Sequence, residues 1–213
     1  MILRLILGDQ LHTNHSWYKN TKDNICYFMA EMRQETDYTT HHIQKIVAFF
    51  LSMRNFANSL RKQNLNLTYY TLNEECNEQS LISNLNKLIK EKNITKFEYQ
   101  LPDEYRLDLQ LKEFCATLSI EWEAFDTEHF LTSRTDLSDF FKGKKQFVME
   151  YFYRHMRKKY DIMMHTEKDP EGGKWNFDQS NRKKWKGDFE IPTEKKFPKD
   201  VSEIVQLIHN SGV

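Results

Sequence analysis

The chain has 213 residues, of which 39% are hydrophobic, 29% charged and 14% aromatic, a globular profile that excludes a disordered chain. Acidic and basic residues balance at 31 each, so net charge alone does not argue for nucleic acid. No run nears the ~20 apolar residues of a membrane helix, and the apolar start lacks a signal-peptide cleavage site, which makes a cytoplasmic protein with no membrane partner the expectation.

Residues 2–7 are an apolar run interrupted by Arg4 and ended by Gly8-Asp9, a buried strand running into a turn. Residues 25–29 read as a second strand. Between residues 41 and 63, Ile46, Phe49, Phe50, Met53, Phe56, Ala57 and Leu60 recur at spacings of three and four, one face of a long helix with Thr39 or Thr40 as its cap. Residues 67–72 are strand-like through Thr68, Tyr69, Tyr70 and Thr71. Leu81, Ile82, Leu85, Leu88 and Ile89 mark a helix, and residues 94–99 a fourth strand. Leu107, Leu111, Phe114, Cys115 and Leu118 form another helical stripe, with Asp103 after Pro102 as its cap. Residues 120–125 read as a fifth strand. Phe147, Tyr151, Arg154, Met156 and Tyr160 fall on a helix of mixed face, and Asp200 to Glu203 has the form of a capping box opening a last helix.

The balanced charge hides an asymmetry. Residues 142–199 hold 16 lysines and arginines against 9 acids, leaving 15 against 22 elsewhere. Gly8 is the only glycine before Gly143, and three of the four prolines lie in the basic stretch. The expected organisation is a compact α/β domain over residues 1–165, a basic irregular connector over 166–199, and a short helix over 200–213. Strand–helix alternation at this spacing implies a Rossmann-like, parallel five-stranded sheet with helices on both faces.

Ligands of such sheets sit beyond the carboxyl ends of the strands, at the topological switch point. The loops after the first two strands are therefore the place to look. Gly8 permits close approach of a ligand or of other backbone, and Asp9 follows it; their bland reading is a plain turn. The second loop, residues 30–42, is rich in polar groups. There Glu35 can accept from ring N–H groups or sugar hydroxyls and Tyr38 can stack on a planar ligand; the bland reading is a solvated rim, with His41 and His42 as surface or capping side chains. Neighbouring histidines on a helix point about 100° apart, so this pair is a weak metal signal. Cys26, Cys76 and Cys115 are odd in number and widely spaced, neither a disulfide framework nor a ligand set. There is no G-x-G-x-x-G, P-loop, nucleophile elbow or H-E-x-x-H. The residues alone describe a ligand-binding domain without visible chemistry. Lys174-Trp175-Asn176-Phe177 and Arg182-Lys183-Lys184-Trp185-Lys186 have the make-up of a phosphate-contacting, base-stacking surface. The preferred alternative is a connector that anchors its tryptophans and solvates its lysines.

Five strings, in this order, carry a resemblance. They are Leu5-Ile6-Leu7-Gly8-Asp9-Gln10-Leu11; Glu35-x-x-Tyr38-x-x-His41-His42-x-x-Lys45-Ile46; Ser52-Met53-Arg54-x-Phe56; Met149-Glu150-x-Phe152-Tyr153-Arg154-x-Met156-Arg157; and Gly172-Gly173-Lys174-Trp175-Asn176-Phe177-Asp178-x-x-Asn181-Arg182. Together they resemble the N-terminal domain of the deoxyribodipyrimidine photolyase-related proteins, the prokaryotic iron–sulfur branch of the cryptochrome/photolyase superfamily. The resemblance implies an antenna domain joined by a connector to a helical domain that holds FAD, a 4Fe-4S cluster and the DNA lesion. Residues 200–213 are then the first helix of that following domain, and the helical FAD domain and DNA are the implied partners. It also implies a lumazine antenna, 6,7-dimethyl-8-ribityllumazine, with Gly8, Asp9, Ala30, Glu35, Tyr38 and Phe49 as the pocket positions. Ala30 stands where relatives can have Cys, and Phe49 is bulkier than the aliphatic residue expected there. No catalytic and no metal-binding residue is implied within these 213 residues, although full-length members of the family are photolyases. Two alternatives stay open: a stand-alone binder of a nucleotide- or flavin-like molecule, and a protein-contact module whose pocket Phe49 closes.

Overall fold

The computed structural model describes residues 1–19, 24–182, 184, 186–187 and 189–213. Five short strands, β1 (Ile2–Leu5), β2 (Ile25–Ala30), β3 (Leu67–Tyr70), β4 (Lys96–Gln100) and β5 (Glu121–Phe125), pair in parallel in the order β3-β2-β1-β4-β5. Parallel neighbours need crossovers. Helix α1 (Ile43–Lys62) joins β2 to β3, α2 (Leu81–Glu91) joins β3 to β4, and α3 (Tyr105–Thr117) joins β4 to β5. This is the expected α/β fold.

The pleat sorts the strands' side chains onto two faces. Leu3, opposite Cys26 and Phe97, and Leu5, opposite Phe28 and Tyr99, bury one face beneath α2 and α3. Tyr27 and Met29 bury the other against α1, together with Ile46, Phe50, Met53 and Leu60. Helix α7 (Ser202–Asn210) covers that same cluster with Ile204 and Ile208. Arg4, the polar interruption of β1, lies on this second face. Its Nε donates to Glu98 Oε2 at 2.7 Å, and its guanidinium sits 5.0 Å from the Trp17 ring centroid.

Three expected caps fall on neighbouring residues. His42, and neither Thr39 nor Thr40, caps α1, its Nδ1 accepting from the Gln44 amide at 3.2 Å. Glu104, not Asp103, caps α3 by accepting from the Arg106 and Leu107 amides. Asp200 accepts from the Ser202 amide at 2.9 Å, while Val201 holds the cap position of α7.

By packing, the chain divides into one unit of residues 1–129 with 199–213 and a second of residues 130–198. The composition-based boundary near residue 165 follows charge and glycine content, whereas this partition follows contact. The second unit holds α4 (Asp136–Phe141), α5 (Met149–Lys159) and α6 (Asp178–Asn181), and α4 and α5 bury Phe141 and Phe152 against each other. In it the buried Arg157 guanidinium donates to the carbonyls of Ile162, Met163 and Trp175 and to the Tyr153 hydroxyl, tying α5 to the segment that follows it. Among the described residues, no helix is long and apolar enough to cross a membrane.

Candidate functional site

The strand order reverses between β1 and β4, so the crevice lies beyond the carboxyl ends of the central strands. The backbone there is held by Gln10, which is buried. Its Oε1 accepts from the Leu7 amide at 3.1 Å, and its Nε2 donates to the Gln100 carbonyl at 3.1 Å, fastening the loop after β1 to the end of β4. The Gln10 amide also donates to the Leu7 carbonyl at 3.0 Å, so Gly8 and Asp9 form the middle of a tight turn.

The loop after β2 is anchored by Glu31. This fully buried carboxylate accepts from Arg54 Nε at 2.6 Å, the Tyr69 hydroxyl at 2.7 Å and the Leu72 amide at 3.0 Å. The chain then turns through a short 3-10 segment, Arg33–Glu35, which brings Glu35 and Tyr38 over the ends of β1 and β2.

Between these loops lies a cavity of about 140 Å³. Gly8, Asp9, Ala30, Glu35, Tyr38 and Phe49, the six positions singled out in the sequence, all line it. Phe28, Met32, Leu81 and Leu107 make its floor apolar. Ala30, small and at the very end of β2, leaves room a larger side chain would take. A wider cleft of about 670 Å³ opens beside it, bordered by Asp9, His12, Lys45, Ser52, Glu128 and His129.

The polar rim is acidic around one arginine. Arg106 lies 3.9 Å from Glu35 Oε2 and 3.3 Å from Glu104, with its guanidinium 3.9 Å from the Tyr38 ring centroid. That cation covers one side of the ring expected to stack on a ligand. Burial raises the pKa of Glu35; Arg106 opposes the shift, and Glu104 and Asp9 add to it. Burial likewise raises that of Asp9, opposed by a backbone hydrogen bond and reinforced by Asp103. Two carboxyl groups therefore line the cavity, able to accept from ligand N–H groups.

Glu104 and Arg106 lie outside the two loops that the sequence singles out. The signal was present: the loop after a strand paired with β1 on its other side forms the opposite wall of the crevice. The cysteines lie apart from the site, Cys26 and Cys115 buried in the core and Cys76 exposed. Among the described residues, no group of three or more His, Cys, Asp and Glu side chains could hold a metal ion.

In the second unit, the half-buried Trp175 ring is surrounded by Arg154, Arg157 and Lys158, each 5.3–5.4 Å from its centroid. Two of the strings that carry the family resemblance thus pack on each other, with Trp175 as an anchor. Lys174, Arg182, Lys184 and Lys186 are exposed, and Lys183 and Trp185 lie outside the described residues.

Fold and cavity define a doubly wound α/β domain with a cavity of about 140 Å³ at its switch point. A model of the family described as deoxyribodipyrimidine photo-lyase-related protein matches residues 4–213, and the chain belongs to that family. It is thus a photolyase/cryptochrome-related protein. The chain is similar to a (6-4) photolyase of Agrobacterium fabrum, 31% identical over 209 residues that make up 97% of this chain and 41% of the relative. It is also similar to an uncharacterised protein of Acanthamoeba polyphaga mimivirus, 32% identical over 85 residues, 38% of this chain and 43% of that one. The aligned regions span less than half the length of either relative.

Proposed function

We propose that this chain is an antenna-type domain that holds a flat, light-absorbing heterocycle of the lumazine class in the cavity at the switch point. The observation that carries the reading is the convergence of Gly8, Asp9, Ala30, Glu35, Tyr38 and Phe49 on one apolar-floored cavity. The chemistry suits a pteridine-2,4-dione. Phe28, Ala30 and Leu107 would flank such a ring, and Glu35 and Asp9 would be the polar groups available to its N–H and carbonyl edge. A bound lumazine would supply near-ultraviolet or blue absorption and pass that energy to a flavin. The side chains of this chain orient the ring and exclude water from it. The flavin, the iron–sulfur cluster and damaged DNA belong, in this proposal, to the portion of the photolyase relative that has no counterpart in these residues.

The test is a titration of the purified chain with 6,7-dimethyl-8-ribityllumazine, followed by absorbance and fluorescence, with AMP as control. Saturable 1:1 binding of the lumazine, with AMP silent, is the expected result. Binding of AMP in preference would favour a nucleotide site, and silence from both would favour a protein-contact module.

A further inference from the structure

This inference rests on the reading just given and concerns the size of ring the berth accepts. A Cβ placed on Gly8 would lie 2.3 Å from Phe49 Cζ, 2.8 Å from its Cε2 and 3.0 Å from Met53 Sδ. The phenyl ring is therefore seated on the glycine. Gly8 is not among the residues with positive φ, so glycine is needed here for space and not for backbone conformation. The neighbouring Phe50 is fully buried in the core, whereas Phe49 is only half-buried and borders both the 140 Å³ cavity and the 670 Å³ cleft. It also borders a third cavity of about 140 Å³ beside Tyr38 and Lys45. One side chain is thus a wall common to three spaces.

Volume sets the limit. An apolar cavity of about 150 Å³ takes a benzene ring, so the 140 Å³ berth suits a small bare ring and is tight for a two-ring heterocycle that carries methyl and ribityl groups. Rotation of Phe49 about χ1 into the open cleft would uncover Gly8 and join the spaces. We propose that Phe49 is a plug that determines ligand size. Seated on Gly8, it restricts the berth to small ligands, and a heterocycle of the size of 6,7-dimethyl-8-ribityllumazine enters only by displacing it into the cleft.

The experiment compares wild type with Phe49→Val, using 6,7-dimethyl-8-ribityllumazine as the two-ring probe and uracil as the one-ring probe. The expected result is lumazine binding at least about tenfold tighter in Phe49→Val, with no such gain for uracil. Equal lumazine affinities, or tighter binding by wild type, would overturn the plug, the latter because Phe49 would then be a stacking contact. A ligand-free double-mutant cycle decides the matter if neither protein binds lumazine, an outcome that defeats the antenna reading itself. Gly8→Ala is expected to lower the melting temperature by several degrees in wild type and by less than half as much in the Phe49→Val background. An equal loss in both backgrounds would show that the ring does not bear on Gly8 and would overturn the inference. Phe49→Leu serves in the same cycle should the valine variant fail to fold.

Discussion

Glu35 and Glu98 are both largely buried carboxyl groups of the same unit, yet their environments pull their proton affinities in opposite directions. Burial raises both; at Glu98 the bonds from Arg4 and Lys96 outweigh it and leave the pKa lowered. At Glu35 the more distant Arg106 does not, and Glu104 and Asp9 add to the rise. The consequences for stability have opposite sign. Glu98 contributes stability that is present above its unfolded pKa and is lost as pH falls through its lowered folded value. Glu35, raised in the folded state, keeps a proton that the unfolded chain releases, so stability falls as pH rises above the ordinary value of 4.5. Glu35→Gln removes that penalty. Relative to wild type, its melting temperature should gain a few degrees between pH 4 and pH 7. Thermal melts of both proteins at the two pH values check this, and a difference that does not change with pH would contradict it. Under the function proposed above, the same substitution should weaken lumazine binding, the usual exchange of stability for function.

At the scale of elements, all five strands and the helices α1, α2, α3, α5 and α7 were legible in the sequence to within a few residues, because apolar period and strand propensity act locally. The caps were not. Thr39, Thr40 and His42 can each accept from a free helix amide, and which one does depends on where the chain leaves the extended conformation, a matter of one residue. The two loops that line the cavity were legible, since glycine and acidic residues after a strand carry their own signal. Arg106 and Glu104 were hidden because the pairing of β4 with β1 is a property of the assembled sheet. The seating of Phe49 on Gly8 was hidden for the same reason, across 41 residues of chain. Helix α7 shows how far packing overrides sequence position. It follows the second unit in the chain, yet it buries Ile204 and Ile208 in the cluster under α1, and Arg33 donates to the Ser211 and Gly212 carbonyls at its end. Ile208→Ala should therefore destabilise the sheet-containing unit by about 3 kcal/mol, the usual cost of truncating a fully buried isoleucine. Chemical denaturation followed by the fluorescence of the buried Trp17 would measure it, and a change below about 1 kcal/mol would mean that α7 is not part of that core.

The two packing units differ in what holds them together, and the difference reaches the behaviour of the whole molecule. Both hydrophobic clusters, on either face of the sheet, lie entirely within residues 1–129 and 199–213. The second unit buries Phe141 and Phe152 while leaving Phe147, Phe189, Ile191 and Phe197 more than 70% exposed. It also holds nearly all of the stretch in which 16 basic residues face 9 acids, whose mutual repulsion works against compaction. Its main polar fastening is Arg157, bound to carbonyls and a hydroxyl. Few buried apolar contacts and exposed backbone mark a segment that opens locally well below the global unfolding free energy. Amides of α5 should therefore exchange with solvent on the order of 100-fold faster than those of β1, β2 and β4. The sheet amides should be protected until the whole first unit unfolds. Hydrogen exchange read by mass spectrometry at peptide resolution tests this directly. Equal protection across both units, with one transition by heat, would mean that the 213 residues fold as a single cooperative body. A split would instead mean that the cavity at the switch point stays intact while residues 130–198 open and close, so that under the function proposed above lumazine affinity should survive Arg157→Ala even as α5 loses its protection.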